Sequence, residues 1–223
     1  MTTRPPSAPR RVTARRRPAF RDWLAPAGLL LLAVIPLGGG AVRVMEIAAD
    51  QPPTPENARF LADPVTILVH IAAASLYAVL GALQHARPLR RGRRIRWHRR
   101  TGLLLVPMGF VVAGTGAWMV LAYEMPPLDR GLLDVSRMVV SVAMALFLTL
   151  AIRDLRRHDY RGHGAWMTRA YALALGAGTQ AFTHLPFPIL GLEVTQLGRL
   201  LAMDAGWLIN AVVAEVVIRR RRR

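Results

Sequence analysis

Cysteine is absent, and so is lysine: all thirty basic residues of this 223-residue chain are arginine, set against thirteen acids for a formal net charge of +17. Without cysteine there is no disulfide framework, no thiolate metal site and no cysteine nucleophile. The missing lysine reads as codon bias rather than chemistry. Also missing are G-x-S-x-G, H-E-x-x-H and any catalytic serine setting, which removes the common hydrolase readings. What the chain has in quantity is apolar surface: 53% of residues are hydrophobic, mean hydropathy is +0.29 and the pI is near 11.8. Soluble enzymes and disordered basic tails do not combine such greasiness with such positive charge. The pairing indicates an integral membrane protein.

Crossing ~30 Å of hydrocarbon takes about 20 helical residues at ~1.5 Å each. Six apolar runs approach or meet that length, at residues 23–42, 64–86, 101–123, 135–152, 166–185 and 200–218. The segments between them are short and polar, so no second folded domain fits. The expected architecture is an all-α membrane bundle of six transmembrane helices over residues 23–218. A disordered basic cytoplasmic tail is expected at 1–22 and a second basic cytoplasmic tail at 219–223. The first twenty residues also resemble a transit peptide or a long signal-peptide leader, but the small-residue site around Gly38 to Ala41 is weak and Arg43 follows at once, so an uncleaved first helix is expected.

Charge tests that threading independently, because the cytoplasmic ends of membrane helices collect arginine. Seven arginines precede the first run, eight lie between the second and third (Arg87 to Arg100), five lie in or beside the fourth connection and five close the chain, together 25 of 30. The alternate connections hold eight acids and only Arg43, Arg59, Arg130, Arg137 and Arg199. Hydropathy and charge agree on both termini being cytoplasmic. A nucleic-acid binder would gather its cations on one face of a soluble domain, so nucleic acid is not expected as a partner. Anionic lipid headgroups at the cytoplasmic face are, at about 1 kcal/mol per arginine near the surface, along with a homo-oligomer or another membrane protein.

Ionisable side chains inside a bilayer cost a few kcal/mol each, so they turn inward and pair. On the second run His70, Tyr77 and Gln84 share one helical face. The fifth carries Arg169, Gly176, Gln180 and Thr183 on one face, and the sixth Asp204, Ala211 and Glu215. Turning these stripes together sorts the polar residues into two layers. His70, Arg137 and Asp204 fall near the outer ends, with His184 at the outer end of run five. Gln84, His85, His98, His163, Arg169 and Glu215 fall near the inner ends. The expected pairs are Asp204 with Arg137 or His70, and Glu215 with Arg169. Each pair has a plain structural reading as an interhelical bond of ~0.6 kcal/mol. That structural reading carries the greater weight for any single pair; the convergence of three stripes, both layers containing histidine, supports the second reading, a polar pathway or cofactor pocket.

Two further groupings need weighing. His98 and His163 each lie near a tryptophan at the start of a run, where tryptophan also serves as an interface anchor. Asp154, His158, Asp159 and His163 have spacings that suit a metal if the segment were helical, but four neighbouring arginines oppose a cation, and no metal is expected.

The strings His70-Ile71-Ala72-Ala73-Ala74-Ser75-Leu76-Tyr77 with Leu80 to Gln84, Trp97-His98-Arg99-Arg100-Thr101-Gly102, His163 to Leu173, and Asn210 with Ala214-Glu215 resemble, in order, the blocks of the multi-pass bacterial membrane family catalogued as domain of unknown function 2306. The resemblance implies the topology and a bacterial inner-membrane location. It marks His70, Gln84, His98, Arg99, His163, Trp166, Met167, Arg169, Asn210 and Glu215 as motif positions without assigning roles; His184 and Gly178 to Gln180 fit the pattern less firmly.

Two functions compete. One is a proton, ion or small-solute pathway, or a partner-binding bundle, with no cofactor and with Arg137 and Asp204 joining those motif positions. The other is a b-type haem protein using His70, His98, His163 and His184 as axial ligands. On a single helix His163 and His184 would stand about 31 Å apart, leaving only an outer pair His70 and His184 or an inner pair His98 and His163. An inverted-repeat transporter would show matched interruptions, whereas Pro36, Pro107 and Pro186 are out of register. No catalytic residues are expected.

Overall fold

The computed structural model describes residues 20–90 and 92–222; the expected disordered tail and leader at 1–19 lie outside the described residues. Every regular element described is helical. Helix α1 (Arg21–Ala48) already includes Arg21 and Asp22, expected in the tail, and carries Pro26 and Pro36. After the short α2 (Ala58–Ala62), Asp63 caps α3 (Pro64–Gln84), accepting from the Thr66 amide and hydroxyl, with Pro64 preset for the first turn. Two 3₁₀ turns lead to α4 (Ile95–Ala122). A third, Pro127–Asp129, leads to α5 (Leu132–Arg156). Asp159 caps α6 (Tyr160–Ala174), which is followed by α7 (Gly176–His184) and α8 (Pro186–Leu190). Gly191, at φ +62°, ends α8 in the left-handed region that glycine adopts at no steric cost. Helix α9 (Gln196–Arg222) closes the chain.

Five of these helices, α1, α3, α4, α5 and α9, are long and apolar enough to cross a membrane. Run 166–185 is not one helix: it breaks at Leu175 into the last part of α6 and all of α7. No proline lies there. Gly176 and Gly178 follow the break, each costing about 1 kcal/mol of helix propensity relative to alanine, and the two pieces pack on different neighbours. Helix α6 lies against α5 and α9, and α7 against α9 and α1. Glycine is needed at this crossing because a Cβ at Gly178 would strike the Leu32 backbone of α1, and one at Gly176 the Trp207 ring of α9. Two other boundaries move. His98 and His163, expected before their helices, lie inside the first turns of α4 and α6, and 219–222 continue α9 instead of forming a tail.

Gln84 at the end of α3 meets His98 and Thr101 at the start of α4, and Arg169 meets Glu215, so the arginine clusters gather at one end of the bundle; Asp129 meets Arg137 and Arg199 at the other, with the acid-rich connections. The core is thin. Tyr77, Leu105 and Leu148 are each 2% exposed or less and meet near mid-height with Ala113, Met144 and Tyr171. Only 11% to 28% of each apolar window is buried against protein. Leu31, Leu103, Leu121, Val142 and Leu208 face outward, and such surface needs an apolar solvent.

Candidate functional site

Toward the acid-rich end the helices part around a half-open cavity of about 350 Å³. Its walls come from α3 (Ile67, His70), α4 (Val112, Met119), α5 (Arg137, Ser141) and α7 with α9 (Gln180, Trp207), with Arg59 and Phe60 of α2 at the rim. His70 is held by one bond, Nδ1 to Thr115 Oγ1 at 2.8 Å. Thr115 has a single hydroxyl proton, and it goes to Val111 O at 2.6 Å. Its oxygen therefore accepts from the His70 Nδ1–H, which leaves Nε2 of the neutral ring as a lone-pair acceptor on the cavity wall. Below the cavity Tyr77, Leu105 and Leu148 close the bundle.

Asp129, in the 3₁₀ turn before α5, ties the rim together and is 4% exposed. Arg137 donates Nη2 to its Oδ1 and Nη1 to its backbone oxygen, both at 3.0 Å. Arg199 of α9 binds the same Oδ1 through Nε and reaches Oδ2 with Nη2 at 3.2 Å. Burial pushes the Asp129 carboxyl up, but the hydrogen bond from Arg199 and the charge of Arg137 outweigh it and hold the group below the usual carboxylate range. A depressed folded-state pKa contributes stability above the unfolded value near 3.9 and loses it as pH falls through the folded one. Acid unfolding of the purified protein should therefore show a component beginning below about pH 4 that is missing in Asp129→Asn; identical acid limbs in the two proteins would refute this.

The arginine-rich end is packed differently. Arg169 and Glu215 form the expected pair, bidentate at 2.5 and 3.1 Å. The Arg169 guanidinium also lies 4.4 Å over the Trp166 ring, whose Nε1 donates to Asp154 at 3.0 Å. An open cleft of about 590 Å³ runs along these groups between α5, α6 and α9, but they largely satisfy one another. Gln84 donates to His98 O at 3.3 Å and to Thr101 Oγ1, and His163 Nδ1 bonds Ala151 O at 3.0 Å. Arg99 is exposed on the first turn of α4.

Between the two ends, side chains mend the broken helix. The last four carbonyls of a helix lack intrahelical donors. Asn210 Nδ2 takes one of them, Ala172 O, at 3.0 Å, while Asn210 Oδ1 accepts from Thr179 at 2.7 Å. Gln180 and Thr183 donate to Met203 O and Ala202 O of α9, at 3.1 and 2.6 Å.

The stripes of runs five and six thus meet as expected, but Asp204 pairs with neither Arg137 nor His70. It accepts from Ser136 at 3.1 Å, Arg137 turns to Asp129, and His70 to Thr115. Arg137 has a nearer carboxylate in the connection before its own helix. The four histidines divide, His98 and His163 at the arginine-rich end, His70 and His184 toward the other. His184 Nδ1 faces Gln180 O at 2.7 Å and its Nε2 is buried without a partner. Of the metal-spaced set, Asp154 serves Arg153 and Trp166, and Asp159 caps α6. Sequence reasoning missed Asp129, Arg59, Arg199 and Thr115 as site residues. The first three lie in connections or at a helix start, where helical periodicity carries no signal, and Thr115 is an unremarked polar residue on α4.

Comparison with known proteins agrees with this architecture. No curated protein and no solved structure matches the chain. Residues 67–218, about two thirds of the chain, match the family described as predicted membrane protein, domain of unknown function 2306. That segment runs from the cavity wall at Ile67 to the last turns of α9, taking in every motif position from His70 to Glu215. The chain belongs to this family of predicted membrane proteins.

Proposed function

We propose that this protein crosses the bilayer six times, α6 and α7 together making the fifth crossing, and that it binds a small solute from the acid-rich side. The arginine-rich end then faces the cytoplasm against anionic headgroups, in the cell membrane. Laid end to end, the 15 and 9 residues of α6 and α7 span ~36 Å, enough for a crossing. The observation that carries the solute reading is the cavity with the His70 Nε2 acceptor on its wall. Ligand sites are concave, mostly apolar and furnished with a few convergent polar groups, commonly 300–1,000 Å³. A continuous polar pathway is a poorer fit, because Tyr77, Leu105 and Leu148 separate the two layers.

Native cysteine is absent, so single-cysteine reporters need no background removal. Ser141→Cys, on the cavity wall, is expected to react with a membrane-impermeant thiol reagent in intact cells, and Arg157→Cys, beyond α5, only after permeabilisation. The reverse pattern overturns the orientation, and an inert Ser141→Cys overturns the open cavity. The same purified protein should have a featureless visible spectrum. A Soret band lost in His70→Ala would replace solute binding with haem ligation.

A further inference from the structure

The acid-rich end is negative overall, yet its arginines collect at the cavity mouth. Arg59 lies within electrostatic reach of Asp129, the strongest charge acting on it, and of Arg43, Arg137 and Arg199. Arg43 and Arg59 both stack on the Phe60 ring, each 4.3 Å from its centroid. Three of the four cations are answered: Arg43 binds Glu46, while Arg137 and Arg199 share Asp129, with Asp134 3.8 Å from Arg137. Arg59 feels the charge of Asp129 without a contact ion pair, and its Nη1 is buried with no hydrogen-bond partner. A buried guanidinium N–H left unmade is costly. The unmade donor at the mouth therefore sits on Arg59, which lines the cavity together with His70.

We infer that the cavity takes a small amphiphilic carboxylate, its single negative charge paired with Arg59 and its apolar part lying along Ile67, Val112, Met119 and Met144. This rests on the solute-binding reading above and adds the ligand's charge. One unmade donor on a guanidinium is matched by a monoanion, whereas a phosphate dianion would bring a second charge toward Asp129 and Asp134. The planar guanidinium suits a carboxylate's two oxygens. Phe60 and the methionines supply a wall that adapts to chains of differing shape. His70 Nε2, as a pure acceptor, adds selectivity for a ligand with a hydroxyl or N–H beyond the carboxylate.

The test uses the full-length purified protein and three probes with the same eight-carbon tail: octanoate, octanol and octylammonium. Thermal-shift titration should show octanoate binding about tenfold or more tightly than octanol, the size expected of one charge-assisted hydrogen-bonded pair, and octylammonium more weakly still. Arg59→Gln should bring octanoate down to the level of octanol while leaving octanol unchanged. Octanoate binding should also weaken with added salt while octanol binding does not, a readout on the unmodified protein that serves if Arg59→Gln does not fold. Equal binding of all three probes, or octanoate binding that ignores both salt and Arg59→Gln, overturns the anion inference but leaves solute binding standing. Failure of all three probes, together with an inert Ser141→Cys, overturns both.

Discussion

Glu215→Leu is expected to lower the stability of the folded bundle by about 2 kcal/mol, near the upper end of membrane interhelical couplings and below the full insertion cost of a charge. The substitution leaves the Arg169 guanidinium, 20% exposed, without its bidentate carboxylate. Trp166 holds that guanidinium against its ring, so the arginine is not free to swing to the interface. Arg169→Leu alone should cost less, because the Glu215 side chain is 38% exposed on the open cleft. The double variant should recover most of the loss, because apolar replacement of both members of a pair is far cheaper than orphaning one. Urea or thermal unfolding of the four proteins gives the coupling directly. Additive losses in the double variant would show that the pair does not couple the ends of α6 and α9.

Gly178→Ala should be comparably damaging, at about 2 to 3 kcal/mol, although it adds one methyl group to a helix and alanine is the better helix former. The new Cβ would sit 2.8 Å from Leu32 Cγ and 3.1 Å from the Leu32 carbonyl carbon, and a backbone atom cannot yield as a side-chain tip can. Helix α7 would have to withdraw from α1, loosening the segment that also carries Gln180 on the cavity wall. Gly114→Ala is the control. Nothing lies within 4 Å of its added Cβ, so it should be neutral or stabilising by about 0.5 to 1 kcal/mol. Equal effects at the two positions would mean that the α1 and α7 contact does not limit stability.

The pair at Arg169 and Glu215 was legible in the sequence because each residue falls on a polar stripe of an apolar run, and helical spacing alone aims both inward at matching depth. Asp204 was legible as inward-facing, but its partner was not. Arg137 occupies the right depth to reach it, yet Asp129 in the preceding turn is nearer and more buried, and short-range geometry of that kind leaves no periodic trace. The same holds for Arg59 and Arg199. His70 was placed correctly near one end of the bundle, while its tautomer depends on where Thr115 spends its one proton.

By itself the sequence determined that this chain is a helical membrane protein, which apolar runs form it, and how its charge divides between the two ends. Those properties follow from local composition and from the cost of burying charge in hydrocarbon, and they do not wait on packing. Only the tertiary structure decided that the fifth run breaks at Leu175, that Asn210 takes up a carbonyl beside the break, and that Arg59, Arg137 and Asp129 meet at a cavity. Each of these depends on distances between residues far apart in the chain, which are settled when α7 packs between α1 and α9 and brings together groups that no local pattern connects.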